Sequence, residues 1–311
     1  MQRQQLSGCR CIETKTWFMK RKNFIRLASA VSLAVPFIRL NNFEKEDFMY
    51  TESEKMPLLF VGHGSPMNAI EDNDFSRTWG EVAKSLPKPK AVLCISAHWE
   101  TAGTWLTAMD KPETIHDFGG FPKALYDVIY PAPGDPGLAA ETRGKITRTE
   151  AGLDYKWGLD HGSWSVLKRF YPKADIPIIQ MSLDYNRSAR FHYDLATELA
   201  FLRKQGVLIV GSGNIVHNLG MVAWNRLNDK FGYDWALEAR EKIKASILAG
   251  DHKSLIDYQL QGKAFQYSIP TPEHYLPLLY ILALKDENEK VHFFNDDCVA
   301  GSLAMTSLTI S

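Results

Sequence analysis

The run Val207-Leu208-Ile209-Val210-Gly211-Ser212-Gly213-Asn214-Ile215-Val216-His217-Asn218 decides the fold. Four consecutive apolar residues followed by small and polar ones read as a buried strand whose end delivers a histidine. Open α/β sheets present chemical groups this way, beyond the carboxyl ends of their strands. Two earlier segments repeat the device. Leu58-Leu59-Phe60-Val61 runs into Gly62-His63-Gly64-Ser65-Pro66, and Ala91-Val92-Leu93-Cys94-Ile95 runs into Ser96-Ala97-His98-Trp99. Three strand ends, each with a histidine a few residues on, point to one metal site.

Between the first two runs, Phe75, Trp79, Val82 and Leu86 fall on one helical face, which Pro87 and Pro89 close. A strand, helix and strand joined by short connections imply parallel strands with a right-handed crossover. His63 and His98 then emerge at the same edge of the sheet. Further along, residues 176–183 predict a strand with Pro177 near its start or at a sheet edge. Phe191, Leu195, Leu199 and Leu202 predict a helix with His192 on its surface. Residues 138–151 and 235–248 read as helices, and residues 302–310 as an edge strand. The expected fold is α/β: a single catalytic domain, residues 56–311, with a mostly parallel central sheet flanked by helices. The metal site is expected at the C-terminal ends of the strands.

Three loop segments add candidate groups. Ile115-His116-Asp117-Phe118-Gly119-Gly120-Phe121-Pro122 is a glycine- and proline-dense stretch of the kind in which binding residues collect. His116 is read there as a substrate contact or as a loop histidine bonded to backbone. Asp160-His161-Gly162-Ser163 stands at a helix entrance, so His161 suits proton transfer, with Asp160 either orienting its ring or capping the helix. Thr271-Pro272-Glu273-His274 reads as a helix start, which aims His274 out of the first turn.

Imidazole is the commonest metal ligand, and first-row cations accept it readily. Three or four histidines with an open position fit zinc with an activated water, or ferrous iron with sites for substrate and oxygen. The residues alone leave a dioxygenase and a zinc hydrolase side by side, with a non-catalytic metal or aromatic binder as a third reading. A His-Glu-x-x-His helix pair and a Gly-x-Ser-x-Gly elbow are both absent.

Composition narrows the partner. The 311 residues carry 36 basic and 36 acidic side chains, a balance that favours neither nucleic acid nor an anionic membrane and points to a small molecule. Oligomeric state is not legible. The four cysteines match neither a disulfide framework nor a zinc-cysteine motif. Residues 1–55 read as an extension outside the fold. Within it, Lys20-Arg21-Lys22-Asn23-Phe24-Ile25-Arg26 precedes an apolar run too short for stable membrane insertion. If residues 19–38 are a twin-arginine-like export signal, the location is periplasmic.

The motifs together resemble the 4,5-DOPA extradiol dioxygenase family, among the class III extradiol ring-cleaving dioxygenases related to the catalytic subunit of protocatechuate 4,5-dioxygenase. The resemblance runs from about Pro57 to Ile310 and rests on the six motif stretches around His63, His98, His116, His161, His217 and His274. It implies a cytoplasmic enzyme that opens a catechol ring with O2 to a muconic semialdehyde. It also implies a metal held by His63, His98, His217 and His274, with Zn2+ in the resting form and Fe2+ activating oxygen. His161 or His217 would carry the proton, and Glu273 offers a carboxylate ligand. Trp99, Phe118 and Phe121 would wall the substrate ring, and His116 would meet its side chain.

Overall fold

The apolar runs alternate between two packed layers. The structure, a computed structural model, describes residues 55–311; the expected leader at residues 19–38 lies outside them. In strand β1 (Leu58–Gly62), Leu58 and Phe60 enter one core while Leu59 and Val61 enter the other. In β6 (Val207–Gly213), Val207 and Ile209 divide from Leu208 and Val210 in the same way. A strand buried on both faces cannot alternate apolar with polar, which is why these segments are continuous apolar runs.

The other strands are β2 (Ala91–Thr101), β3 (Thr104–Thr107), β4 (Ala151–Asp154), β5 (Ile178–Asp184), β7 (Val291–Phe294), β8 (Cys298–Val299), β9 (Leu303–Ala304) and β10 (Ser307–Ile310). Eight of them form one sheet in the order β4-β3-β5-β2-β6-β1-β10-β7, and β8 and β9 pair separately. The central β5, β2, β6 and β1 are parallel, as expected. On one face lie the helices Ala189–Ala196, Asp234–Ala249 and Leu276–Ala283; on the other lie Asp74–Ser85 and His161–Phe170. No helix among the described residues is long and apolar enough to cross a membrane.

Several local expectations change. Of the two placements expected for Pro177, the strand's start holds and the sheet edge does not: β5 is interior, between β3 and β2, and Pro177 stops just short of it and needs only its carbonyl, which accepts from Val92 N. The last strand is also interior, and β7 is the edge. The helix expected over residues 138–151 spans Pro136–Lys145; residues 146–150 form a connection, and β4 begins at Ala151. His192 is fully buried rather than on the surface. Its Nδ1 lies 2.9 Å from Tyr280 Oη and its Nε2 3.2 Å from Asp184 O, which satisfies both ring nitrogens. Arg203, also fully buried, ties the first described residues to the last third of the chain. It donates to Met56 O, Leu284 O and the Glu289 carboxylate.

Candidate metal centre

β6 lies between β1 and β2, so three strand ends meet at one edge of the sheet. His63 follows β1 directly, and His98 lies within β2 inside the stretch, between Ile95 and Glu100, where its register with β5 shifts. His161 opens the helix His161–Phe170, which Asp160 caps by accepting from Ser163 N. His217 lies beyond β6, its amide donating to Ser268 O. His274 comes just before the helix Leu276–Ala283 rather than within its first turn. Its carbonyl accepts from Asn214 N and lies where a Cβ on Gly213 would stand, 2.1 Å away, so only glycine fits there.

Five imidazoles converge. The ring centroids of His63, His98 and His274 form a nearly equilateral triangle with sides of 5.0, 5.0 and 5.3 Å. His161 lies 3.8 Å from His98 and 5.9 Å from His63. His217 stacks on His274 at 3.5 Å with only 7° between the planes. Donor atoms within 4.8 Å of one another divide into His63, His98 and His161, and into His217, Glu273 and His274. The two groupings differ over which set His274 joins. Ring centroids give the shape of the cavity, and donor distances give which atoms lie closest.

Hydrogen bonds fix the tautomer of His63. Ser212 Oγ donates to Gly162 O at 2.6 Å, so it must accept from His63 Nδ1 at 3.0 Å. The hydrogen of His63 is therefore on Nδ1 and Nε2 is a bare lone pair. Asp117 accepts from the His161 amide at 2.8 Å and from His161 Nδ1 at 2.9 Å, and it lies 3.6 Å from His98 Nδ1. At 3.6 Å that carboxylate is beyond hydrogen-bond reach of His98 and does not fix the His98 tautomer. The two Nε2 atoms are 3.2 Å apart. With its hydrogen on Nε2, His98 donates to the His63 lone pair; with it on Nδ1, both lone pairs face one point where a cation can bind. Nitrogens bound side by side at about 2.0–2.1 Å from one ion are separated by roughly this much. The donor set thus fits a first-row divalent metal.

The electrostatics agree. Burial, with the neighbouring imidazoles adding to it, holds His63 and His274 well below the ordinary histidine range. Burial and His161 push His98 down to about 3, against the pull of Asp117. Burial lowers His217 to about 4, with Glu273 opposing. These rings stay neutral near pH 7, as ligands must. Burial alone would raise the Asp117 carboxyl, but the hydrogen bonds from the His161 ring and amide outweigh it and hold Asp117 below the usual carboxylate range.

Comparison with known proteins decides the family. The sequence pattern described as the catalytic LigB subunit of aromatic ring-opening dioxygenase matches residues 56–301. The chain belongs to the LigB family. A relative from Escherichia coli K12 named 4,5-DOPA dioxygenase extradiol is 46% identical over 83% of this chain and 96% of its own. One of the same name from Beta vulgaris is 33% identical over 83% of this chain and 98% of its own. A crystal structure of an uncharacterized E. coli K12 protein is 41% identical, covers 83% of this chain and 100% of that one, and gives a TM-score of 0.72. The protein is accordingly an oxidoreductase of the ring-cleaving dioxygenase type, and LigB enzymes are metal-dependent.

Within this LigB protein the remaining expected residues are placed as follows. Phe118 presents its ring at 81° to His161, 5.5 Å away, and Phe121 packs against Phe118 at 5.3 Å. His116 donates from Nε2 to Val128 O at 3.0 Å and packs against Phe118 and Trp164. Trp99 is only 3% exposed and stacks on Trp157, whose indole donates to Asp160. Asp160 does not orient His161. It accepts from Ser96, Ser163 N, Gln180 and Trp157 beneath the site, while Asp117 holds the ring. Glu273 Oε1 accepts from Thr271 and lies 3.1 Å from His274 Nδ1. Asp117 and Ser212 are the residues that sequence reasoning missed as partners of the histidines. The only available signal was their presence inside motifs chosen for the histidines.

Proposed function

We propose that the protein opens the ring of a DOPA-like catechol beside its hydroxyl pair, adding both atoms of O2 to give a muconic semialdehyde. The observation that carries this reading is the convergence of the His63 and His98 Nε2 atoms, 3.2 Å apart, beside the carboxylate-held His161. Relatives named for 4,5-DOPA cleavage support a catechol with a side chain.

In this reading His63, His98 and His274 hold the metal, with His217 as the fourth histidine. When bound, Fe2+ would supply the redox chemistry that joins catechol to oxygen, which Zn2+, without redox chemistry, would not, so Zn2+ would suit a resting form. His161 would accept a catechol hydroxyl proton and hold it for return to the ring-opened product. His217, stacked against His274, stays neutral as the second proton carrier. Phe118 gives the substrate ring an apolar face, backed by Phe121, with His116 bordering the same wall. Trp99 acts from beneath, through its stack on Trp157.

The test is anaerobic loading with Fe2+, addition of DOPA and other 4-substituted catechols, and admission of air. The expected outcome is a yellow product with one O2 consumed per catechol, and none from zinc-loaded protein. Absence of colour with every catechol, together with ester hydrolysis by the zinc form, would replace the dioxygenase with a hydrolase.

A further inference from the structure

The turn that follows Phe118 is pinned to the loop that carries it. Leu125, fully buried, anchors the short helix Lys123–Tyr126, and Val128 N donates to Leu125 O at 3.3 Å. His116 Nε2 donates to Val128 O at 3.0 Å and Tyr130 N to Thr114 Oγ1 at 2.9 Å, so residues 114–118 and 125–130 hold each other. That brings the Tyr126 ring to 5.2 Å from Phe118 and 6.1 Å from His116. Phe118 in turn stands 5.5 Å from His161, while Tyr126 makes no ring contact with any of the five converging imidazoles. Tyr126 is thus one ring further out from the metal centre. It is also 37% exposed, and its hydroxyl has no hydrogen-bond partner among the described residues. The charged side chains of its own turn, Lys123 and Asp127, pair with each other.

We propose that Tyr126 is a specificity-determining residue: it receives the substituent at position 4 of the catechol and donates its hydroxyl hydrogen to a carboxylate at the end of that tail. This rests on the reading of the site as that of a catechol dioxygenase. With the catechol oxygens at the histidine cluster and the ring against Phe118, a substituent at position 4 points away from the metal. A tail of about three carbons, at about 1.5 Å per bond, covers the step from the Phe118 ring to the Tyr126 ring. The tyrosine ring covers the methylenes and its polar tip meets the acid. A carboxylate takes the O–H itself in a charge-assisted bond, whereas an ammonium would satisfy the oxygen and leave the O–H undonated.

The test compares three tails on wild type, Tyr126→Phe and Tyr126→Ala. Hydrocaffeate ends in a carboxylate, dopamine in an ammonium, and 4-propylcatechol in a methyl group. Dissociation constants come from calorimetric titration of zinc-loaded protein, in which no turnover occurs. Tyr126→Phe is expected to weaken hydrocaffeate about tenfold or more relative to 4-propylcatechol, the loss of one hydrogen bond to a charged group, and to move dopamine no more than 4-propylcatechol. Tyr126→Ala, which removes the ring as well, should weaken all three relative to unsubstituted catechol. With iron, the same ratios are expected in kcat/KM, carried by KM rather than kcat. Equal weakening of the three tails by Tyr126→Phe, or of none, would overturn the role of the hydroxyl. Weakening of dopamine alone would overturn the choice of a carboxylate, and wild-type affinity of Tyr126→Ala for every tail would place the tail elsewhere and overturn the proposal outright. If wild type binds no catechol at all, the reading of the site falls first, and the role of Tyr126 with it.

Discussion

The hydroxyl of Ser212 decides which nitrogen of His63 faces the pocket, because it is already donating to Gly162 O and can only accept from Nδ1. Ser212→Ala should leave the fold intact and weaken metal binding by about 10–100-fold, the usual effect of removing a partner behind a histidine ligand. Competition against a chromophoric chelator measures it; unchanged affinity would mean that the strand alone holds the ring. At this scale the histidines were legible, since an imidazole just past an apolar run has few other reasons to be there. Their partners were not. Ser212 reaches His63 across 149 residues of chain, and Asp117 reaches His161 across 44, and no local pattern records such pairings. His192 was misread for the same reason. Its position on an amphipathic helix looked polar, but the hydroxyl that makes it tolerable in the core belongs to Tyr280, 88 residues on.

Elements explain how the rings keep their places. Asp160 caps the helix that starts with His161 and also accepts from Ser96 at 2.6 Å, so one side chain ties that helix to β2 close to His98. The contact is tight. A Cβ on Gly162 would stand 2.5 Å from Ser96 Oγ and 2.7 Å from the His98 ring. Gly162→Ala should therefore push the helix start from β2, reducing metal content and turnover by more than tenfold while the far-ultraviolet circular dichroism stays native. Full metal content in that variant would show that the helix can shift without disturbing His98. The strands were readable wherever both faces are buried, as in β1, β2 and β6. The periphery was less so. β4 begins where a helix was expected to end, and the expected edge strand is covered by β7, because edge position depends on which strand pairs last rather than on the strand's own pattern.

The whole molecule carries buried histidines outside the metal centre too. Burial pushes His192 down to about 4, only partly offset by Asp184. As pH falls below about 6.5 the unfolded chain takes up this proton and the folded chain does not, so stability present above that pH is lost through the window from about 6.5 to 4. At its steepest, one such group contributes about 1.4 kcal/mol per pH unit. Urea midpoints measured between pH 7 and 5 should fall, and His192→Gln should flatten that slope whatever it does to the level. An unchanged slope would assign the acid sensitivity elsewhere.

The strand order has a consequence for how the protein is made. β6 lies between β1 and β2, so the gap between the first two histidines is spanned by a strand that the ribosome supplies much later, and His274 follows later still. A nascent chain carrying only His63 and His98 offers an ion two tethered ligands and no cavity. Capture thus becomes one of the last events of maturation, and the finished fold, rather than the growing polypeptide, competes for the cell's free metal.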